Sequence, residues 1–282
     1  MIPDGLVSRR GAEKVAPVPS MTPATLGHPW PADKKSFSQR LCASARDENV
    51  YQVIFLKVRN MKQQQTECYR CGICCQKGGP ALHGQDLALV RGGQLPMENL
   101  ITIRRGELAH NPLSGTIEPV PVELVKIRGT GQEWSCCYYE PASRGCSIYR
   151  GRPLACGVLK CWQPEEILAL VGQDLLSRLD ILEEQHPLRP AVLEHERLCP
   201  CPDMGEVQKN LAEQEGSALP SLEVLVNSDL AFRDQVVKEF NLLLAHELFL
   251  FGRPLFQLLQ PFGVLASESR QGLKLIMRRS GS

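Results

Sequence analysis

The feature that most constrains this chain is a run of four thiols in eight residues, Cys68-Tyr69-Arg70-Cys71-Gly72-Ile73-Cys74-Cys75. Thiolates are soft ligands that select zinc, copper(I) and iron–sulfur clusters. A C-x-x-C step lets two sulfurs converge on one ion, and Gly72 has positive φ open to it, so the backbone can fold back sharply. The run therefore predicts a metal-binding segment.

A second group of thiols follows about sixty residues downstream, at Cys136, Cys137, Cys146, Cys156 and Cys161. Three interpretations compete for both groups: metal ligation by the two together, disulfide bonding, and buried free thiols, since free cysteine packs like a small hydrophobe. Scattered cysteines would favour the free thiols. Two dense groups favour metal ligation.

Composition limits the compartment and the partners. The 12 cysteines in 282 residues fall well below the roughly 8–10% of small disulfide scaffolds. The first residues lack the basic-then-apolar order of a secretory signal, and no apolar run reaches the roughly 18 residues of a membrane span. Lys plus Arg, 32, nearly balances Asp plus Glu, 31. We therefore expect a cytoplasmic protein that binds neither nucleic acid nor membrane, and we leave a protein partner open.

The chain divides into three parts by composition. Residues 1–60 are rich in proline and are predicted to be a disordered N-terminal extension, although 49–58 resembles a short strand and Met61 offers a natural start. Residues 61–163 are predicted to be a cysteine-cluster metal-binding domain, and residues 164–282 a mainly helical C-terminal region.

Local patterns place a few elements in these parts. A short helix is predicted at 86–91 and strands at 100–104, 120–127 and 273–277. Residues 167–182 show helical spacing with a possible break at Gly172. Helices are predicted at 204–215 and 228–251, a linker at 187–202, and a short helix opened by Pro254. The predicted fold class is α+β: a small, irregular cysteine-rich metal-binding domain with short strands, followed by a mostly helical region.

Basic residues surround the thiols in the sequence. Four thiolates around one divalent ion leave a net charge near −2, which is costly at low dielectric unless it is compensated. The candidates for compensation are Arg70, Lys77, Arg144, Arg150, Arg152 and Lys160. We expect Arg152 to face the thiols, because Pro153 makes the chain leading to Cys156 rigid. His83 lacks ligand-like spacing and is predicted to be a surface or turn residue.

The order of these motifs resembles a known family. Cys68-x2-Cys71-Gly72-x-Cys74-Cys75, Cys136-x-Tyr138-Tyr139 and Cys146-x-Ile148-Tyr149-x2-Arg152-Pro153-x2-Cys156 are similar to the CxxCxxCC putative zinc- or iron-chelating domain, the YkgJ-like cysteine-cluster proteins. The resemblance covers roughly residues 66–163. It implies eight metal ligands, at Cys68, Cys71, Cys74, Cys75, Cys136, Cys146, Cys156 and Cys161. Cys42, Cys137, Cys199 and Cys201 are predicted not to be ligands.

The function predicted from these motifs is metal binding, through an iron–sulfur cluster or Zn²⁺. Electron transfer, redox sensing and handling of a protein substrate are the roles left open. Two alternatives stand beside it: a protein-modifying enzyme like the flagellin lysine methylase with which the family was once linked by name, and a structural zinc module that binds a protein partner. Against the methylase, no segment of the sequence indicates a cofactor pocket for the methyl donor. The lack of a C-x3-C-x2-C run argues against radical-SAM chemistry, and no G-x-G-x-x-G or Walker-type loop occurs either.

Overall fold

The computed structural model describes residues 65–213, 218–270 and 272–278. These residues belong to one compact unit, Met61–Ser282. The predictions of a disordered segment at 1–60 and of a strand at 49–58 lie outside the described residues, as does Cys42.

The first half of the described chain consists of short helices and two-stranded antiparallel sheets. The elements in chain order are α1 (Ile73–Gln76), α2 (Leu87–Arg91), β1 (Leu100–Ile103), β2 (Leu108–Asn111), β3 (Thr116–Pro119), β4 (Leu124–Ile127), β5 (Gly129–Thr130), β6 (Ser135–Cys136), β7 (Tyr139–Glu140), β8 (Gly145–Cys146) and α3 (Leu154–Val158). The strand pairs are β1–β4, β2–β3, β5–β6 and β7–β8. The predicted second strand begins at Leu124 rather than Val120, because Pro121 has no N–H for a ladder.

The second half of the described chain is mostly helical. It contains α4 (Glu165–Ala169), α5 (Arg178–Ile181), α6 (Arg189–Leu198), α7 (Met204–Glu213), α8 (Leu219–Phe240), α9 (Leu244–Phe251), α10 (Leu255–Leu259) and the hairpin β9 (Val264–Ser269) with β10 (Gly272–Met277). Short strand pairs followed by a helical region confirm the α+β prediction. Within the described ranges, no helix is both long and apolar enough to cross a lipid bilayer.

Two of the sequence-based assignments in this half are wrong in detail, and in a third the possible break at Gly172 is present. The predicted linker at 187–202 contains helix α6, because Pro190 sits in the first turn, where its missing N–H is not needed. The long helix predicted at 228–251 is two helices, since Asn241 adopts a left-handed conformation with φ 49° between α8 and α9. The helical spacing over 167–182 is split between α4 and α5, with positive φ at Gly172 and Asp174.

Two apolar cores hold these elements together. The first joins the sheet β1–β4 to α9, and its buried members include Leu100, Val125, Ile127, Phe249 and Phe251. Cys136 is buried in this same core. The second core lies among α7, α8, α10 and the β9–β10 hairpin, around Met204, Val226 and Leu259. The thiol of Cys136 is therefore anchored in the main core of the described chain.

A network of buried charges accompanies the first core. Asp229 Oδ1 lies 2.7 Å from His195 Nε2 and accepts a hydrogen bond from Arg233 Nε at 2.9 Å. Arg104 donates to Glu196 at 3.0 and 3.1 Å, and Arg178 donates to the same carboxylate at 2.9 Å. Because a buried charge is costly unless it is paired, these contacts fix α6 against α8, α5 and the residue that follows β1.

Candidate metal centre

The loop that carries the first four thiols is held by Tyr139. Gly72 has φ 78°, the positive value that its position in the sequence allowed, and a Cβ atom there would lie 2.4 Å from Tyr139 Cε2. Gln76 Nε2 donates to the Tyr139 hydroxyl at 3.1 Å. The ring thus lies against the turn that starts α1. This contact places Cys74 and Cys75 next to the small hairpins that follow.

Two consecutive hairpins present the middle thiols. Cys136 pairs with Gly129 in β5–β6, and Cys146 pairs with Tyr139 in β7–β8. Gly129 leaves room for Trp134, whose backbone oxygen would lie 2.4 Å from a Cβ at that position. Tyr139, on the strand opposite Cys146, is also the residue that contacts Gly72. One tyrosine therefore links the first thiol group to the second.

The third segment that carries a thiol of the site is α3. Pro153 precedes this helix with φ −57°, and Cys156 is its third residue. Burial is the main cause that raises the pKa of the Cys156 thiol to about 12, and the neighbouring thiols at Cys136, Cys74, Cys75 and Cys146 act in the same direction. Cys156 is thus close enough to these four thiols for their charge to affect its pKa.

Five of the eight predicted ligands lie near enough to influence one another's ionisation in this way, and we call them the inner thiols: Cys74, Cys75, Cys136, Cys146 and Cys156. The Cys74 and Cys75 sulfurs are 4.0 Å apart. Burial raises the pKa of Cys75 and of Cys146, and a hydrogen bond to Cys137 together with burial raises that of Cys136. Thiols gathered like this ionise together only when a cation offsets their charge.

The other three predicted ligands, which we call the outer thiols, are Cys68, Cys71 and Cys161; they are exposed, as is Cys74 of the inner thiols. In the part of the chain that the structure describes, no three His, Cys, Asp or Glu side chains are placed closely enough to hold a metal ion. The fit of a metal therefore rests on donor chemistry: five sulfurs from three chain segments, which suit zinc or iron.

Two arginines stack on one tyrosine beside these sulfurs. The guanidinium carbons of Arg70 and Arg152 lie 4.2 and 4.1 Å from the centre of the Tyr149 ring. Burial raises the pKa of Cys146, and the charge of Arg152 opposes that rise. Arg152 is therefore near enough to Cys146 for its charge to act on that thiol, whereas Lys77 and Arg144 are exposed.

The remaining basic residues have separate roles. Lys160 pairs with Glu166 on α4. Lys126 and Arg128, which the sequence patterns did not single out, lie near the second thiol group. The charge of Lys126 opposes the rise in the pKa of Cys136. The pKa of Cys137 is lowered mainly by its hydrogen bond with Cys136, and the charge of Arg128 acts in the same direction. Strand alternation in β4 could have indicated Lys126, since it lies on the face opposite Val125 and Ile127.

Of the three described cysteines that were predicted not to be ligands, Cys199 and Cys201 lie apart from the inner thiols and Cys137 does not. Cys137 neighbours Cys136 and packs partly buried against the first core. Cys199 is 1% exposed at the end of α6, and Cys201 contacts the second core.

His83 was predicted to be a surface or turn residue, and the prediction of surface exposure is wrong. Its side chain is 3% exposed, and its Nδ1 donates a hydrogen bond to the Gln173 carbonyl at 2.8 Å. His83 sits where the segment before α2 packs against the residues before α5.

An open cavity of about 460 Å³ lies beside the centre. Cys146, Tyr149, Gln94 and Arg150 are among the residues that line it. Its volume lies within the range of small-molecule sites, and one of its lining residues, Cys146, carries an inner thiol.

Comparisons with known proteins agree with this chemistry. Residues 67–172 match the family model described as CxxCxxCC, a putative zinc- or iron-chelating domain. The match confirms the resemblance inferred from the motifs. No curated protein and no solved structure matches the chain.

Proposed function

We propose, from the premise that residues 67–172 are a CxxCxxCC zinc- or iron-chelating domain, that the inner thiols hold the metal of this protein. The observation that supports the proposal is that five thiols from α1, the two hairpins and α3 lie near enough to one another to influence each other's ionisation. Zinc sites and iron–sulfur clusters both use four thiolates, so the inner set suffices for one centre. The outer thiols lie on the same loop and just beyond α3, from where they complete the set of eight.

The residues around the thiols have defined parts in this proposal. Arg152, Lys126 and Arg128 offset the negative charge of the thiolates, and the tyrosine rings hold the loop that carries Cys74 and Cys75. A bound zinc ion would make the centre structural, whereas an iron–sulfur cluster would add electron transfer or redox sensing. A protein partner or substrate would reach the centre from the exposed side, where Cys68 and Cys71 lie.

Metal analysis of anaerobically purified full-length protein tests the proposal. We expect near-stoichiometric zinc or iron, and the visible spectrum distinguishes them, because zinc is colourless and iron–sulfur clusters are not. Cys156→Ser should lose most of the metal. The matched control is Cys199→Ser, which alters another buried cysteine away from the inner thiols and should keep the metal.

Two results would reject the proposal. One is wild-type protein with neither metal near stoichiometry. The other is a Cys156→Ser variant that keeps the full metal content of the wild type.

A further inference from the structure

One buried carboxyl group connects two segments that are far apart in the sequence. Asp86 is 2% exposed and ends a 3₁₀ turn, Gly84–Asp86. Its Oδ2 accepts a hydrogen bond from the His83 N–H at 2.9 Å, and its Oδ1 accepts one from the Leu154 N–H at 2.8 Å. Leu154 is the first residue of α3, the helix that carries Cys156.

Helix α3 depends on such an anchor because it is short. It has five residues, Leu154–Val158, and its backbone bonds include Gly157 N–H to Pro153 O at 2.9 Å. A helix of this length is not stable by itself, since nucleation costs more than so few hydrogen bonds return. External contacts must therefore fix its direction, and the bond from Asp86 acts two residues before Cys156.

The support behind Asp86 is rigid. The Leu82 N–H donates to the Val125 carbonyl at 2.9 Å, and the Leu176 N–H donates to the Leu82 carbonyl at 3.0 Å. Leu82 itself is fully buried in the first core. The chain that leads into the turn is thus fastened to β4 and to the segment before α5, so Asp86 holds α3 against the core of the described chain.

We propose that Asp86 is a positioning residue for the metal centre: by binding the first N–H of α3 it sets where the Cys156 sulfur lies among the inner thiols. The part that concerns metal rests on the proposed function. The part that concerns the place of Cys156 holds for the metal-free protein too.

The test compares Asp86→Asn and Asp86→Ala with the wild type. Asp86→Asn keeps one acceptor oxygen, so it remains informative where Asp86→Ala fails to fold. The matched control is Asp174→Asn, because the exposed Asp174 carboxylate accepts a hydrogen bond from Gly84 N–H of the same turn, at 3.1 Å, rather than one from α3.

The first measurement is alkylation by iodoacetamide of the full-length, metal-free protein, followed by peptide mass spectrometry. We expect Asp86→Asn to speed alkylation of Cys156 several-fold and to leave that of the buried Cys199 unchanged. Asp174→Asn should resemble the wild type at both cysteines. Equal acceleration at Cys156 and Cys199 would show general unfolding and overturn the inference.

The second measurement uses Co²⁺ as the probe metal. We expect release to a chelator from Asp86→Asn to be about 10-fold faster or more, as for other residues that orient ligands, with weaker thiolate-to-cobalt absorption. Wild-type protein that binds no Co²⁺ would reject the proposed function and leave the alkylation result to decide the role of Asp86. Identical release and identical Cys156 alkylation in wild type and Asp86→Asn would overturn the inference.

Discussion

At the residue scale, the centre shows how a side chain outside the ligand set shapes a thiolate site. Arg152 combines a stack on Tyr149 at 4.1 Å with a charge that acts on Cys146. A flat, always ionised guanidinium does both at once, whereas a lysine ammonium supplies only the charge. The arginine is therefore expected to matter for its shape as well as its sign.

Arg152→Ala should make the bound metal easier to remove. The lost cation–π contact is worth about 0.5–1 kcal/mol, and the thiolates lose a compensating charge, so chelator-driven release should be several-fold faster. Arg152→Lys should recover only part of the difference. Lys77→Ala, which removes an exposed charge near the same loop, is the control. Equal release from Arg152→Ala and Lys77→Ala would contradict a special role for Arg152.

At the element scale, the loop 68–75 is shaped by two tyrosines rather than by apolar burial. Tyr139 packs on Gly72, and the Arg70 guanidinium stacks on the Tyr149 ring. The backbone of Arg70 has φ 54°. A non-glycine residue in this conformation is strained and persists only when its surroundings hold it. The strain lies between Cys68 and Cys75, and both rings contact residues of that same stretch, so the local geometry serves the placement of the thiols.

Gly72→Ala tests this packing. Alanine at positive φ costs about 1 kcal/mol or more, and its Cβ would also displace Tyr139. Gly115→Ala is a matched control, since Gly115 has φ 70° and a Cβ added there would meet no atom within 4 Å. We expect urea unfolding to show an extra loss of about 1–3 kcal/mol for Gly72→Ala. Equal losses in the two variants would mean that Tyr139 moves aside freely.

At the scale of the whole molecule, buried charges tie helices α6, α8 and α10 to one another. His195 and Asp229 are both fully buried, and Leu255 N–H donates to Asp229 Oδ2 at 3.0 Å. Burial is the main cause that lowers the pKa of His195; the charges of Arg104 and Arg233 act in the same direction, and the bond to Asp229 opposes them. The folded protein therefore favours the neutral imidazole.

Stability should consequently fall in mild acid. Because the folded-state pKa of His195 is depressed, its contribution is complete above the unfolded value of about 6.5 and is lost as the pH falls below it. Protonation would also add an N–H at Nδ1, which has no hydrogen-bond partner among the described residues. Urea midpoints at pH 7.5 and 5.5 should differ more for the wild type than for His195→Gln. The thiols contribute equally to the pH dependence of both proteins. An equal change in urea midpoint between the two pH values for wild type and His195→Gln would therefore contradict the prediction.

The amino-acid sequence determined the chemistry of the centre and part of the architecture. Cysteine spacing predicted thiolate ligation, and the Gly72 turn, strand β1, helix α7 and the α+β class followed from local patterns. These features depend on residues a few positions apart, where backbone preference and side-chain period act directly. The sequence patterns missed helix α6, because the prolines in and around it resemble those of a linker.

Only the tertiary structure decided which thiols lie near one another. Cys75 lies near enough to Cys156 for its charge to help raise the pKa of that thiol, because Tyr139 holds α1 and because Asp86 and the first core hold α3. No local pattern encodes such contacts, since they join segments that are far apart in the chain. The buried partners of His195 were hidden for the same reason: a single histidine on a helix shows its role only when Asp229 and two arginines pack around it.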